Sequence, residues 1–343
     1  MLVSMAGLRR WTAMFLASAA ITAGCSSNPL SAPPPTIEPA APAVSPPPAT
    51  RPAGELMPLS GRPEAAIFDS RTASLAVLAP GSDPQSPSTL TLFGVSGVTR
   101  ELTLPGPATA IAGDSQGAAY LSTRGGYFTV DLAAGTAAPV SINDESGTDF
   151  TAIARRADGR LVLGSADGTA YTMGSETAVA EKVKIFARVD AIVTEGNNAV
   201  VLDRGQTSVT SLNSDGQTGQ ALRAGEGATT LVADPLGRVL VADTRGGQLL
   251  VFGVDPLIER QAYPVPEAPY GLAGSRNLAW VSQTAANMVV GYDLATGIPV
   301  EKVRYPTVQQ PNSLAYDDSS DTLYVVSATG AGVQMIRNAA GVR

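Results

Sequence analysis

The residue types that support most protein chemistry are nearly missing from this chain. Its 343 residues include no histidine and one cysteine, Cys25. Without histidine, Ser-His-Asp and Cys-His nucleophile systems and His-ligated metal sites are excluded. A lone cysteine excludes an internal disulfide and a thiolate metal cluster. Any chemistry must therefore come from carboxylates, amides, hydroxyls and arginines.

Two carboxylates and one amide stand at equivalent positions of a repeat, where an inner strand is expected to begin. They are Glu64, Asp190 and Asn312. Carboxylate and amide oxygens are ligands that Ca²⁺ prefers, so these three residues are candidates for a metal site. The alternative is that they are solvated residues at the rim of a water-filled channel, because three such side chains among seven equivalent positions are close to chance. We expect no cofactor, with Ca²⁺ as the alternative.

Arginines followed by glycine recur directly after the second strand of three repeats. Aspartate precedes two of them, and a tyrosine occupies another inner-strand position. These candidates for a binding face are Arg124, Arg204, Arg245, Asp203, Asp243 and Tyr270. On one face, the arginines could bind an anionic partner such as a carbohydrate or an acidic peptide. In the other interpretation, glycine serves the hairpin and each arginine pairs with the neighbouring aspartate.

These positions are set by a repeat whose template is residues 269–300, three short apolar segments separated by turns, followed by the start of a fourth. Seven second-strand segments end between 39 and 45 residues apart. Four short strands in roughly 40 residues is the period of a β-propeller blade. The sequence predicts an all-β protein, a seven-bladed β-propeller of four-stranded blades, with six or eight blades as alternatives. An unrelated β-sandwich seldom keeps one period over such a length.

The last repeat has three clear strands before the chain ends. Residues 55–60 precede the first full repeat and match the outer strand of other repeats. We therefore predict that this N-terminal strand pairs with the C-terminal blade and closes the ring, which also hides two strand edges.

Short motifs within the repeats resemble the YVTN and NHL classes of propeller repeat. They are Pro269–Ala273 with Trp280–Ser282, Pro311–Ala315 with Leu323–Val326, and Gly237–Asp243. The resemblance covers residues from about 56 to 340, and it implies a propeller fold without implying an activity. WD40 signatures are missing, since the chain has no histidine and its tryptophans are Trp11 and Trp280 alone. The missing histidine also argues against a streptogramin-lyase activity.

The N-terminus has the pattern of an export signal. Arg9 and Arg10 precede an uncharged apolar run over residues 11–23, which is too short to span a bilayer. Thr22-Ala-Gly-Cys25 resembles the lipobox of bacterial lipoproteins, although Thr22 stands where leucine is commonest. The resemblance implies cleavage before Cys25, a diacylglycerol on its thiol and anchoring by palmitate-type acyl chains. We expect a signal peptide over residues 1–24.

Residues 25–54 are expected to be a lipidated cysteine followed by a Pro-rich disordered linker, and residues 55–343 the propeller domain. Runs of three prolines favour extended polyproline II, and nothing in the segment could build a core. Some thirty residues at about 3.1 Å each reach on the order of 90 Å. The segment would then act as a stalk, with a docking motif or an O-glycosylation site as alternatives.

The net charge of −7, without a basic stretch, argues against nucleic-acid binding. Three lysines against twenty arginines suggest a GC-rich genome, so the chain resembles an actinobacterial, mycobacterial-type envelope lipoprotein. We expect an exported, membrane-anchored monomer on the outer side of the cytoplasmic membrane, which acts as a scaffold for an envelope protein or carbohydrate and not as an enzyme. The alternative is a cation-dependent hydrolase, because lactonase propellers hold their cation with a Glu, Asn and Asp set similar to Glu64, Asn312 and Asp190.

Overall fold

The computed structural model describes residues 35–59, 61–94, 97 and 99–341. Within these residues the chain forms 28 β-strands in seven four-stranded antiparallel sheets. The first strand of each sheet packs on the first strand of the next, and the last sheet packs on the first. The predicted seven-bladed β-propeller is thus confirmed. No helix in this part of the chain is long and apolar enough to cross a membrane.

Each of blades 1 to 6 uses four consecutive strands. Blades 1 to 3 are β2 (Ala65–Asp69), β3 (Ser74–Ala79), β4 (Thr89–Gly94), β5 (Thr99–Thr103); β6 (Ala110–Gly113), β7 (Ala118–Thr123), β8 (Gly126–Asp131), β9 (Thr136–Ser141); β10 (Phe150–Arg155), β11 (Leu161–Ser165), β12 (Thr169–Met173), β13 (Val179–Lys184).

Blades 4 to 6 are β14 (Ala191–Glu195), β15 (Asn198–Asp203), β16 (Ser208–Leu212), β17 (Thr218–Arg223); β18 (Ala228–Asp234), β19 (Arg238–Asp243), β20 (Gln248–Val254), β21 (Leu257–Pro264); β22 (Pro269–Gly274), β23 (Ala279–Gln283), β24 (Met288–Asp293), β25 (Val300–Pro306). Blade 7 is β26 (Pro311–Asp317), β27 (Thr322–Ser327), β28 (Val333–Arg337) and β1 (Glu55–Met57).

The hydrophobic core lies between blades. Side chains alternate along each strand, so successive residues of a second strand face opposite neighbours. In β19, Val239 and Val241 belong to a cluster shared with blade 4, whereas Leu240 and Ala242 belong to one shared with blade 6. All seven core clusters join two adjacent blades in this way. A blade therefore buries its apolar faces only when both neighbours are in place.

The ring is closed by the N-terminal strand, as predicted. β1 pairs antiparallel with β28, and Glu55 lies opposite Met335 while Met57 lies opposite Val333. The paired residues are 55–57, a shorter stretch than the expected 55–60, and Pro58 follows the strand instead of interrupting it. Since β1 and β26 form the two edges of this sheet, blade 7 is complete only when both ends of the chain contribute.

The approach of β1 to β28 depends on Gly54. Its φ is +71°, and a Cβ at this position would lie against the carbonyl oxygen of Met335, far inside van der Waals contact. Gly297 has a similar φ of +81°, but a Cβ there would meet nothing within 4 Å. The two glycines therefore share the same backbone requirement and differ only in the space around them.

We expect Gly54→Ala to lower the free energy of unfolding by about 1–3 kcal/mol more than Gly297→Ala, because only the first adds a steric clash to the left-handed backbone. Denaturant unfolding of the two variants measures this difference. Equal losses would mean that the close contact between Gly54 and β28 does not contribute to ring closure.

Candidate functional site

One end of the ring carries most of the polar side chains that the sequence singled out. Neighbouring strands are antiparallel, so the loop after each second strand and the loop leading into the next blade emerge at the same end. We call this end the upper face. Its loops in the second half of the ring are residues 204–207, 244–247, 284–287 and 307–310.

An extended N-terminal segment, residues 36–46, lies along this upper face, and we call it the strap. Its first half crosses blades 4 and 5. The amide of Ile37 donates to the carbonyl of Gly205 at 2.7 Å. Arg245 donates to the carbonyl of Glu38 at 2.7 Å. The loops that follow two second strands thereby bind strap backbone.

The second half of the strap is held more closely, by Thr284 of blade 6 and Gln310 of the loop that leads into blade 7. The side chain of Gln310 accepts from the Ser45 amide at 3.0 Å and donates to the Ala43 carbonyl at 2.8 Å. The Ser45 hydroxyl donates to the Thr284 carbonyl at 2.6 Å and accepts from the backbone amide of Gln310 at 3.1 Å. Ser45 is only 3% exposed as a result.

Two more amide side chains complete this contact. Gln309 donates to the Ser45 carbonyl at 3.0 Å, and Asn287 donates to the Pro46 carbonyl at 2.7 Å. For the described part of the expected disordered linker, the structure thus differs from a free stalk. The reason is physical: a polyproline-like chain leaves its carbonyls unpaired, and the upper face supplies donors for them.

The arginines expected on a binding face separate into two groups. Arg204 donates to the carbonyl of Ala40, so Arg204 and Arg245 both contact the strap. Arg124 instead pairs with Asp149 at 2.9 Å, and both side chains are more than half exposed. An exposed pair of this kind contributes little to stability. Of the three arginines, two are placed where they bind extended peptide backbone.

Asp203 and Asp243 are fully buried, so their carboxylates do not line the exposed face. Asp203 accepts from the amide of Ala187 at 2.7 Å, and Asp243 accepts from the amide of Gly227 at 2.8 Å. Each carboxylate thus holds the loop that leads into its own blade. The expected pairing of Arg204 and Arg245 with these aspartates is not among the ion pairs of the described residues.

In other blades, a different side chain at the end of the second strand also binds the loop that leads into its own blade. Thr123 donates to the carbonyl of Pro107 at 2.6 Å, Gln283 to that of Pro266 at 2.9 Å, and Ser327 to that of Gln309 at 2.6 Å. This role was not predicted because the residue type changes between blades. The signal that could have revealed it is the spacing of 16 to 18 residues between the side chain and the loop residue that it contacts.

Two of the three residues proposed to bind a cation, Asp190 and Asn312, already have hydrogen-bond partners within the protein. Asp190 accepts from the Arg204 amide at 2.8 Å and from Arg188 at 3.2 Å. Burial raises the pKa of Asp190 above its usual value, although both arginines oppose this. Asn312 accepts from Gln310 at 3.0 Å. Partial burial also raises the pKa of Glu64, a residue exposed overall.

The charges of two other candidate residues, Arg204 and Glu64, act on Tyr270. Burial raises the pKa of its hydroxyl, the positive charge of Arg204 opposes the rise, and the negative charge of Glu64 adds to it. Charges next to blades 1 and 4 thus act on a hydroxyl of blade 6. Across residues 35–59, 61–94, 97 and 99–341, no three His, Cys, Asp or Glu side chains are grouped closely enough to hold a metal ion.

Comparison with known proteins identifies the fold and no family. No protein-family model matches the sequence, and no curated protein matches it. Among solved structures, a streptogramin B lyase is similar with a TM-score of 0.68 and 10% identity, over 82% of this chain and 96% of that one. Virginiamycin B lyase from Staphylococcus aureus gives a TM-score of 0.65 at 11% identity, over 82% of this chain and 99% of that one.

A third similar structure, the WD40 repeats of RRP9, has a TM-score of 0.68 at 13% identity, over 82% of this chain and 96% of that one. At such low identity these similarities establish the β-propeller fold alone. Lyases and WD40 repeats share this architecture, so the function must be argued from the site itself. Cys25, the expected lipidation site, lies outside the described residues.

The buried charge of Asp190 gives a prediction with a defined sign. Its pKa is raised on folding, so the folded chain binds a proton more tightly than the unfolded chain and loses stability as pH rises from about 4. We expect Asp190→Asn to have a higher melting temperature than the natural chain at pH 7, because it removes the cost of burying the charge. This advantage should shrink as pH falls through the raised pKa of Asp190 and disappear once pH is below about 4.

Asp149→Asn is the control, since Asp149 is 56% exposed and pairs only with an exposed arginine. Its melting temperature should follow that of the natural chain at both pH values. If Asp190→Asn were less stable at pH 7, the hydrogen bonds to the ionised carboxylate would outweigh its burial, which would contradict our interpretation.

Proposed function

We propose that this protein is an exported, lipid-anchored envelope protein of actinobacterial type, and that its YVTN/NHL-class propeller works as a binding module. Cys25 is the proposed anchor, and the partner is another envelope component. The proposal combines the export pattern at the N-terminus with the chemistry of the upper face. A protein attached to the membrane surface needs partners within reach of that surface.

One observation carries the proposal of a binding module. Side chains from the loops of blades 4 to 7 converge on a single extended chain and bind its backbone. Amides and guanidinium groups placed in this way are suited to recognition, because they offer directed hydrogen bonds to the carbonyl groups of an extended chain. An envelope protein or a carbohydrate displays the carbonyl or hydroxyl oxygens that such donors bind.

The anchor is tested by replacing the proposed lipidated residue. We expect Cys25→Ser to abolish labelling by radioactive palmitate and to move the protein from the membrane fraction to the soluble fraction, because a chain without acyl groups has no stable hold on a bilayer. Ser27→Ala, two residues away, should leave both properties unchanged. Membrane association of Cys25→Ser equal to that of the natural chain would contradict the anchor.

The binding module is tested by photo-crosslinking in intact cells from exposed positions at the two ends of the ring. Val44 is 92% exposed on the strap, whereas Ile298 is 69% exposed in a loop at the opposite end. A photo-reactive amino acid at position 44 should give a discrete protein or glycan adduct, and the same group at position 298 should not. Equal adducts at both positions, or none at position 44, would count against an upper-face binding module.

A further inference from the structure

We propose that the upper face of blades 4 to 7 is a peptide site that recognises a small residue at position 40 and Ser-Pro at positions 45 and 46, and that the strap of this same chain is its resident ligand. This inference rests on the proposed function and gives the binding face a ligand chemistry. The contacts to residues 43–46 support this inference, because they differ from one strap position to the next.

Ser45 is the strap residue whose side chain the site recognises by hydrogen bonds. The hydroxyl of Ser45 donates to the Thr284 carbonyl and accepts from the backbone amide of Gln310, so it acts as donor and acceptor at once. With 3% exposure there is no room for a larger side chain without displacing the strap. A residue without a hydroxyl would leave two buried backbone groups less well satisfied.

At the neighbouring strap positions, the propeller binds the backbone and not the side chain. Val44 is 92% exposed, so its side chain points away from the protein and is free to vary. The amide of Ala43 donates to the Thr284 hydroxyl at 3.2 Å, and its carbonyl accepts from Gln310. Pro46 restricts Ser45 to extended conformations, which present the Ser45 amide and carbonyl to Gln310 and Gln309.

The first half of the strap has a matching feature in the propeller, since glycines stand where the strap comes closest. A Cβ added at Gly227 would lie 2.9 Å from the Cβ of Ala40 and 2.8 Å from that of Arg245. A Cβ at Gly205 would lie 3.3 Å from the side chain of Thr36. Ala40 itself is 6% exposed. The surface is thus shaped for a chain with a small residue at position 40.

Proline-rich chains suit such a site because they are extended before they bind and lose little conformational entropy on binding. Attachment of the strap to β1 raises its effective concentration at the face further. The strap therefore occupies the site in cis, and a free peptide of the same sequence can bind only when the strap has been displaced.

The experiment uses the full-length chain purified in detergent and a fluorescent peptide of residues 36–48, TIEPAAPAVSPPP. Binding is followed by fluorescence anisotropy for the natural chain, for Ser45→Arg and for Val44→Arg. The two variants add the same side chain at adjacent positions, one buried against the face and the other pointing away from it. Circular dichroism checks that each variant keeps the propeller fold.

We expect Ser45→Arg to bind the peptide at least tenfold more tightly than the natural chain or Val44→Arg, because only Ser45→Arg frees the site. Adding Gln310→Ala to Ser45→Arg should weaken binding at least tenfold again, since it removes the donor to Ala43 and the acceptor for the Ser45 amide. A peptide carrying Ser45→Arg should not bind, and one carrying Val44→Arg should.

Three results would overturn the inference. Equal peptide binding by the natural chain and Ser45→Arg would mean that the strap does not occupy the site. No binding to Ser45→Arg would mean that the face does not recognise this peptide. A natural chain that sediments as a dimer, with Ser45→Arg monomeric, would mean that the strap is exchanged between copies. If adducts still form from position 44 in cells, these results reject the peptide site and leave the binding module standing.

Discussion

The structure depends on one constraint: no blade has a hydrophobic core of its own. Each core cluster is shared by two neighbouring blades, so the second strands are apolar on both sides and every blade needs two partners. A linear row of seven blades would leave two apolar faces in water. Pairing of β1 with β28 completes blade 7, which packs on blade 1 and leaves no such face. The ring is thus a condition for stability and not only a shape.

This constraint explains why the sequence predicted the fold so well. A strand that is buried on both faces appears as a continuous apolar run, as in Leu75–Leu78 of β3 and Leu323–Val326 of β27, and such runs recur at the blade period. The closure was predictable for the same reason, because a fourth strand was missing at one end and available at the other. Strand limits were less certain, and β1 proved shorter than expected.

The candidate site was only partly predictable. The recurrence of Arg-Gly after second strands led to Arg204 and Arg245, which do contact an extended chain. The strap itself gave no signal, because a Pro-rich segment has no hydrophobic period and its partners come from four blades. Asp203 and Asp243 were predicted to be on the face, yet burial and loop amides define their role. Sequence spacing identifies neighbours within a blade, whereas contacts across the ring depend on closure.

The hydrogen bond between Ile37 and Gly205 also limits how far the protein can range. Seventeen residues separate Ile37 from Glu55, where β1 begins. They would reach about 53 Å at 3.1 Å per residue once the strap is released. With Cys25 as the proposed anchor, release of the strap would lengthen the tether by up to that distance and enlarge the membrane area within reach. The local concentration of any membrane-bound partner around the propeller would fall accordingly, so occupancy of the upper face and encounter rate at the membrane are coupled.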